Sequence, residues 1–223
     1  MILPLIFGLG GLAVLLSLGF WQVQRMGWKQ TMLAEIEARI AADPVTIPAD
    51  PDRPRDNRLS VAADVMIEGP EAHVLTSRKF TGPGYLVQVP ARLSDGRRDI
   101  LDMGFIPEAQ KDEARPAGPY RIVGNMLWPN EVDGFTPDPN TEKNIWFARD
   151  ADKLAQAFGI ASDDPYIIAV RQVVEGDYGT EPVAIGADIP NDHREYAITW
   201  FSLALCWLGM TAYLLWRIRQ KTV

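Results

Sequence analysis

Cysteine and histidine are scarce in this sequence: its 223 residues include one Cys and two His. The single cysteine, Cys206, lies inside an uncharged run, so one chain can form no internal disulfide. No cysteine pair is present for zinc, copper or thiol exchange, and no glycine-rich phosphate loop or dinucleotide motif occurs. These absences exclude a disulfide scaffold, a thiol redox enzyme and the common nucleotide-binding folds.

Charged residues are absent from two long stretches, one towards each end of the sequence. Residues 1–23 contain no Lys, Arg, Asp or Glu, and neither do residues 196–216. As a helix the second stretch would be about 31 Å long at ~1.5 Å per residue, which matches a bilayer core. Both are flanked by aromatic residues typical of the membrane interface: Phe20, Trp21, Trp28, Tyr196, Trp200 and Trp216. We therefore predict two transmembrane helices in a lipid bilayer, over residues 1–23 and 191–216.

A cleaved signal peptide is the alternative for the first stretch. No basic residue precedes its apolar run, and Trp21 and Gln22 stand where a small-x-small cleavage site would be needed. An Arg- and Ser-rich amphipathic leader is not seen either. We expect the stretch to remain as a membrane span.

The charges around the spans predict the topology. Three basic residues lie in the tail 217–223, against Arg194 on the other side of the second span, so the positive-inside rule places both termini in the cytoplasm. Arg25 and Lys29 favour the opposite orientation, but long domains translocate largely regardless of charge. All 29 acidic residues lie between the spans. The sequence thus predicts an acidic periplasmic domain in a bacterial plasma (inner) membrane, with no nucleic-acid partner.

Residues 24–58 are predicted to form a juxtamembrane helix and a linker. Apolar residues recur at helical spacing from Met32 to Ile40, Asp43-Pro44 stops the helix, and Pro44 to Arg58 is expected to be extended.

Residues 59–190 change to strand periodicity, with Val61, Ala63, Val65 and Ile67 on one face. Turns are predicted at Gly69-Pro70, Gly82-Pro83-Gly84 and Asp95-Gly96, and a break at Pro90. The predicted strands cover residues 60–68, 73–77, 85–93, 99–106, 120–127, 146–149 and 166–174. Asp150 is expected to cap one small helix that Gly159 ends, after a long loop from Pro129 to Asn144. The fold class is a membrane α+β protein, whose mainly antiparallel β domain forms a partly open barrel or a sheet.

His193 is the most informative residue for chemistry, because it stands just before the second uncharged run. If the helix begins near Asn191, His193, Tyr196 and Trp200 share one face. That face offers a nitrogen ligand beside aromatic walls, and the alternative is an ordinary polar flank at the interface.

Trp21, Arg25 and Trp28 share a face at the corresponding end of the first span. A cation between two indoles could meet a carboxylate, so the two ends together describe a haem site at a membrane surface, with His193 on the iron. The alternative is an aromatic belt with a snorkelling arginine.

Small residues suggest how the two spans pack. Ser202, Cys206 and Gly209 form a stripe on the second span that we expect to face Ala13, Ser17 and Gly19 on the first, so that His193 could face Arg25. The second histidine, His73, is expected to be a solvated strand residue.

A membrane-anchored peptidase with a Ser/Lys dyad is the enzyme alternative. Ser77 and Lys79 would share a strand face, but a charge-rich turn favours solvated surface. We expect a protein that is not an enzyme.

Two end motifs resemble the surfeit locus protein 1 family. Leu18-Gly19-Phe20-Trp21-Gln22 with Arg25 and Trp28-Lys29 is similar to the family's opening pattern, and Asn191-Asp192-His193 with Tyr196-Ala197 and Trp200-Phe201 to its closing pattern. Gly84-Tyr85 and the segment 146–150 are also similar. One segment departs, because Met103 and Phe105 stand where the family usually has Arg and Trp.

The resemblance implies an assembly factor for haem-copper terminal oxidases of the cytochrome c oxidase class. It implies that the chain binds haem A, with His193 as the ligand, and aids its insertion into the catalytic subunit; haem A synthase is the expected source. The alternative is a scaffold that holds an oxidase intermediate without binding haem.

Overall fold

The computed structural model describes residues 2–183, 185–186 and 192–221, with residue 221 described by its backbone only. Asn191, where the second helix was expected to begin, lies outside this range. The helices are α1 (Ile2–Ala41), α2 (Arg53–Asp56), α3 (Ala151–Phe158) and α4 (His193–Lys221). The strands are β1 (Val45–Thr46), β2 (Ser60–Ile67), β3 (Ala72–Arg78), β4 (Gly82–Leu93), β5 (Arg98–Pro107), β6 (Gly118–Leu127) and β7 (Ile167–Glu175).

The chain folds as two compact units. One consists of Met1–Ile36 with Ala187–Val223 and therefore contains α4 and most of α1. The other, Glu37–Gly186, begins with the last turn of α1 and contains every described strand.

Five strands of the second unit close into a barrel. They follow the order β2-β6-β7-β5-β4, and β4 pairs back to β2 through Val65 opposite Leu93. All these pairs are antiparallel except β5 with β7. Strand β1 lies parallel to β2, and β3 extends β4. The predicted mainly antiparallel β domain with a small helix is confirmed, and its barrel is closed.

Alternating side chains fill the barrel, since successive residues of a strand point to opposite faces. The interior includes Val61, Val65, Tyr85, Val87, Val89, Leu101, Met103, Ile122, Met126, Ile168 and Val170. A second apolar cluster lies outside it, where Leu154, Ala155 and Phe158 of α3 pack on Val74, Ile100, Trp146 and Ile167.

Helix α3 begins and ends where the sequence predicts. The Asp150 side chain accepts a hydrogen bond from the Lys153 amide, and Gly159 ends the helix at φ 64° in the left-handed region.

Several local predictions were wrong. The turn after β3 lies at residues 79–81, so Gly82 already starts β4. Residues 145 and 146 make isolated bridges rather than a strand. The expected extended linker contains β1 and the short helix α2, which Asp52 caps.

Pro90 does not break β4. On one side it pairs with Ile100 of β5. On the other side, β4 changes partners there: its last match to β3 is Gln88 and its first to β2 is Ala91. The missing N–H of the proline therefore falls where no neighbouring strand needs it.

Candidate functional site

Helices α1 and α4 pack antiparallel through three glycines of α1. A Cβ on Gly8 would lie 2.2 Å from Thr211 Cγ2, one on Gly11 would lie 2.6 Å from the Trp207 ring, and one on Gly19 would lie 2.7 Å from Phe201. The absence of these side chains lets large residues of α4 lie directly against the α1 backbone. The Trp207 Nε1–H also donates to the Gly8 carbonyl at 2.9 Å.

The predicted packing stripe of α4 was wrong. Ser202, Cys206 and Gly209 are exposed, and an added Cβ on Gly209 would meet nothing within 4 Å. The buried face carries Ala197 and Ala204 instead. On α1 Gly19 belongs to the interface, whereas Ala13 and Ser17 are exposed. The interface therefore sets glycines of α1 against the larger side chains of Thr211, Trp207 and Phe201 on α4, rather than small against small.

His193 and Gln22 meet across this helix pair. His193 Nδ1 lies 2.7 Å from Gln22 Oε1, with the histidine half-buried and the glutamine buried. Because a carbonyl oxygen only accepts, this contact fits the tautomer that carries its proton on Nδ1. Nε2 makes no hydrogen bond with any described residue, so in that tautomer it is the ring nitrogen open to a ligand.

Arg25 is not the partner of His193. Its guanidinium carbon lies 4.2 Å from the centre of the Trp28 ring, and Arg25, Trp28 and Trp21 are all exposed. At about 100° per residue, these three positions lie on one flank of α1 beside Gln22. The predicted aromatic and cationic face is thus formed, next to the histidine contact rather than in it.

Trp200 and Tyr196, the two residues of α4 predicted to share a face with His193, differ in their burial. Trp200 is half-buried, close to the angular position of His193 on the helix, whereas Tyr196 is 57% exposed. This end of the helix pair therefore combines one imidazole with exposed or half-buried aromatic rings and one arginine.

Gln22 was missed when the site residues were chosen from the sequence. Its signal was visible, because it is a polar residue at the end of an apolar run and part of the opening motif. Its partner lies 171 residues away in the chain. Only the pairing of the two helices shows which side chain it serves.

The prediction that His73 is solvated was wrong. His73 is 5% exposed, its Nε2 lies 2.8 Å from Glu71 Oε2, and its ring is 5.7 Å from that of Tyr85. Glu71 also accepts from the Tyr178 hydroxyl at 2.7 Å and lies 3.1 Å from Arg115 Nε. Burial opposes ionisation of Glu71, but hydrogen bonds from His73 and Tyr178 and the charge of Arg115 outweigh it, so the pKa of Glu71 is lowered.

A second buried ion pair holds the segment 146–150 that carries the family resemblance. Arg149 donates to Asp102 Oδ2 at 3.3 Å and to Glu131 Oε1 through Nε at 2.8 Å. Burial raises the pKa of Asp102, and Arg149 offsets only part of that rise. The motif thus joins β5 to the start of the long loop.

The departure at Met103 and Phe105 has a structural consequence. Met103 lies fully buried in the barrel interior, and Phe105 is buried with the Arg78 guanidinium 5.1 Å from its ring centre. In this chain an apolar side chain therefore completes the core at position 103, and Arg78 supplies the cation beside Phe105.

Ser77 and Lys79 do not form a dyad among the described residues. Ser77 is exposed on β3, and Lys79 Nζ lies 5.2 Å from the ring centre of Phe80.

Ile2–Ala41 and His193–Gln220 are each long and apolar enough to cross a membrane. Fold and site thus define a class: a membrane protein with two candidate spans and one closed β-barrel domain. The SURF1 family model matches residues 9–205, and the chain belongs to this family.

Curated relatives are similar in sequence over most of the chain. "Surfeit locus protein 1" of Rattus norvegicus is 29% identical, over 92% of this chain and 72% of its own length. "SURF1-like protein" of Monosiga brevicollis is 28% identical, over 90% and 83%. "SURF1-like protein" of Rickettsia felis is 24% identical, over 86% and 88%.

Proposed function

We propose that this chain is an assembly factor for a haem-copper terminal oxidase. The chain binds haem A, with His193 as the ligand of the iron, and aids the insertion of haem A into the catalytic subunit of the oxidase. Membership in the SURF1 family supports the assembly role, through the resemblance to oxidase assembly factors. Haem A is the cargo, haem A synthase its source, and the catalytic subunit its recipient. The chain acts by binding, without a catalytic residue of its own.

The hydrogen bond between Gln22 and His193 is the observation that carries the haem proposal. Ligating histidines usually donate their other ring N–H to an acceptor, which fixes both tautomer and ring orientation. Gln22 supplies that acceptor and leaves Nε2 for the iron. A polar flank that only met headgroups would need no buried partner.

The neighbouring side chains suit the rest of a haem. Trp21, Trp28 and Trp200 provide flat apolar surface, and Arg25 provides a cation for a propionate. We further propose that the chain resides in the bacterial plasma (inner) membrane. Because the basic tail follows the second span, both termini would be cytoplasmic and the barrel domain periplasmic.

Haem binding by His193 can be tested by purifying the full chain from cells that make haem A. We expect His193→Ala to lose the haem absorbance while the protein remains inserted, since no aliphatic side chain replaces the ligand. Gln22→Leu should weaken binding roughly 10–100-fold, as loss of a ligand's supporting hydrogen bond does, whereas Gln22→Glu retains an acceptor. Arg25→Ala should cost about 1 kcal/mol or less, because its charge is exposed.

Arg194→Ala is the matched control, since it changes an exposed neighbour of His193. A full haem spectrum in His193→Ala would show that the ligand is another residue. A wild-type chain that carries no haem from such cells would instead support the scaffold function.

A further inference from the structure

The turn of the hairpin between β3 and β4 contains Phe80, whose backbone conformation and exposed side chain are both unfavourable for folding. Phe80 has φ +75°, a left-handed conformation that bulky side chains rarely adopt. Its side chain is also 97% exposed to solvent. Glycine or asparagine at this position would relieve the backbone strain and would expose no large apolar side chain. The stability of the barrel therefore does not explain why a phenylalanine stands here.

A second exposed phenylalanine provides an internal comparison. Phe135, in the long loop, is 94% exposed; of the acids near it, Glu131 and Asp138 pair with Arg149 and Lys153, whereas Asp133 makes no ion pair with any described residue. Phe80 instead follows two cations, Arg78 and Lys79. The two rings are equally apolar, so the charge around them distinguishes the surfaces they can meet.

The cation at the hairpin tip is Lys79. Arg78 is neutralised by Glu181, 2.7 Å from its Nη1, whereas Lys79 makes no ion pair with any described residue. Its Nζ lies 5.2 Å from the centre of the Phe80 ring. An aromatic ring with an adjacent lysine matches a membrane interface, where the ring enters the headgroup region and the ammonium meets anionic lipid.

We propose that the Lys79–Phe80 tip is a membrane-contact element of the barrel domain, with the ring in the interfacial region of a bilayer and Lys79 on anionic headgroups. The chain itself supplies the reason for a lipid partner, since candidate spans lie on both sides of the barrel in sequence. Glu181, which pairs with Arg78 of the hairpin, stands twelve residues before His193 in the sequence.

The test uses the full chain in nanodiscs, in a Cys206→Ser background. A bimane label on Thr81→Cys leaves Phe80 in place, and a label on Gly134→Cys reports on the environment of Phe135. Both positions are exposed. The nanodiscs contain phosphatidylcholine alone or with phosphatidylglycerol, and a lipid with a nitroxide near the headgroup quenches nearby bimane.

We expect quenching at position 81 but not at 134. Phe80→Gly should remove most of it while raising the melting temperature, because the backbone strain is relieved; this shows that the loss is not misfolding. Lys79→Gln should reduce it only when phosphatidylglycerol is present. Equal quenching at both positions, or unchanged quenching in Phe80→Gly, would overturn the proposal. Absence of quenching at 81 would also overturn it and leave a protein surface as the partner of the tip.

Discussion

At the scale of single residues, the two histidines of the chain differ in their surroundings, and we expect them to differ in what their substitution affects. His73 lies in the barrel domain with its Nε2 on a carboxylate that three groups stabilise. His193 lies at a helix end, half-buried, with only one ring nitrogen occupied among the described contacts. A substitution at His73 therefore tests folding, whereas one at His193 tests binding.

The carboxylate of Glu71 should make the barrel sensitive to acid. Its pKa is lowered from the ordinary value of 4.5, so its contribution is fully present above pH 4.5 and is lost as the pH falls through the folded-state pKa. Glu71→Gln should lower the free energy of unfolding by about 1–3 kcal/mol at pH 7, since buried partners lose an acceptor. The difference from wild type should shrink below pH 4.5, as measured by thermal unfolding of the full chain in detergent.

Glu68→Gln is the control for this titration. Glu68 pairs with Arg92 at 2.9 Å on the surface, and such pairs contribute about 0–1 kcal/mol. A destabilisation by Glu71→Gln that is the same at every pH would show that its charge is not what stabilises the network.

At the scale of elements, the helix pair depends on which small residues meet which large ones. Gly11 and Gly19 receive the rings of Trp207 and Phe201, whereas Gly209 faces open space. Composition alone favours Gly209 as a contact, because small residues commonly mark helix interfaces in membranes. The angular position of each glycine on its helix decides which glycines lie in the interface.

Gly19→Leu should disrupt the helix pair and Gly209→Leu should not. Cysteines at Gly8 and Thr211 provide the reporter: Thr211→Cys removes the Cγ2 atom that a Cβ on Gly8 would meet, and the two Cβ atoms, 3.2 Å apart, need to separate by only a few tenths of an ångström to reach the roughly 3.5–4.5 Å of a disulfide. In the Cys206→Ser background, we expect the oxidised crosslink to form, to decrease with Gly19→Leu and to persist with Gly209→Leu. The reverse order of effects would contradict this interface.

At the scale of the whole molecule, the distribution of charge predicts the orientation in the membrane. The exposed loop between Pro129 and Asn144 carries Phe135, a cleavage site for chymotrypsin. We propose from the basic tail that the C-terminus lies in the cytoplasm, and chymotrypsin added to intact spheroplasts should then cut this loop. Cleavage only after lysis would reverse the topology, and a cytoplasmic marker protein serves as the control.

The sequence by itself determined the elements whose signal is local. Uncharged runs predict the two long helices, alternation predicts most strands, and Asp150 and Gly159 delimit α3, because hydropathy, periodicity and capping depend on residues close in the chain. The end motifs determined the family in the same way. The turn predicted at Gly82 was misplaced, because proline and glycine also occur inside strands.

Only the tertiary structure decided which distant residues meet. The closure of the barrel by β2 and β4, the burial of His73 and the exposure of Cys206 and Gly209 depend on packing between elements far apart in sequence. Gln22 and His193 are 171 residues apart, and a 2.7 Å contact between them exists only because α1 and α4 pair antiparallel in one register. Periodicity states which residues share a face of one helix, but it carries no information about the face that the other helix covers.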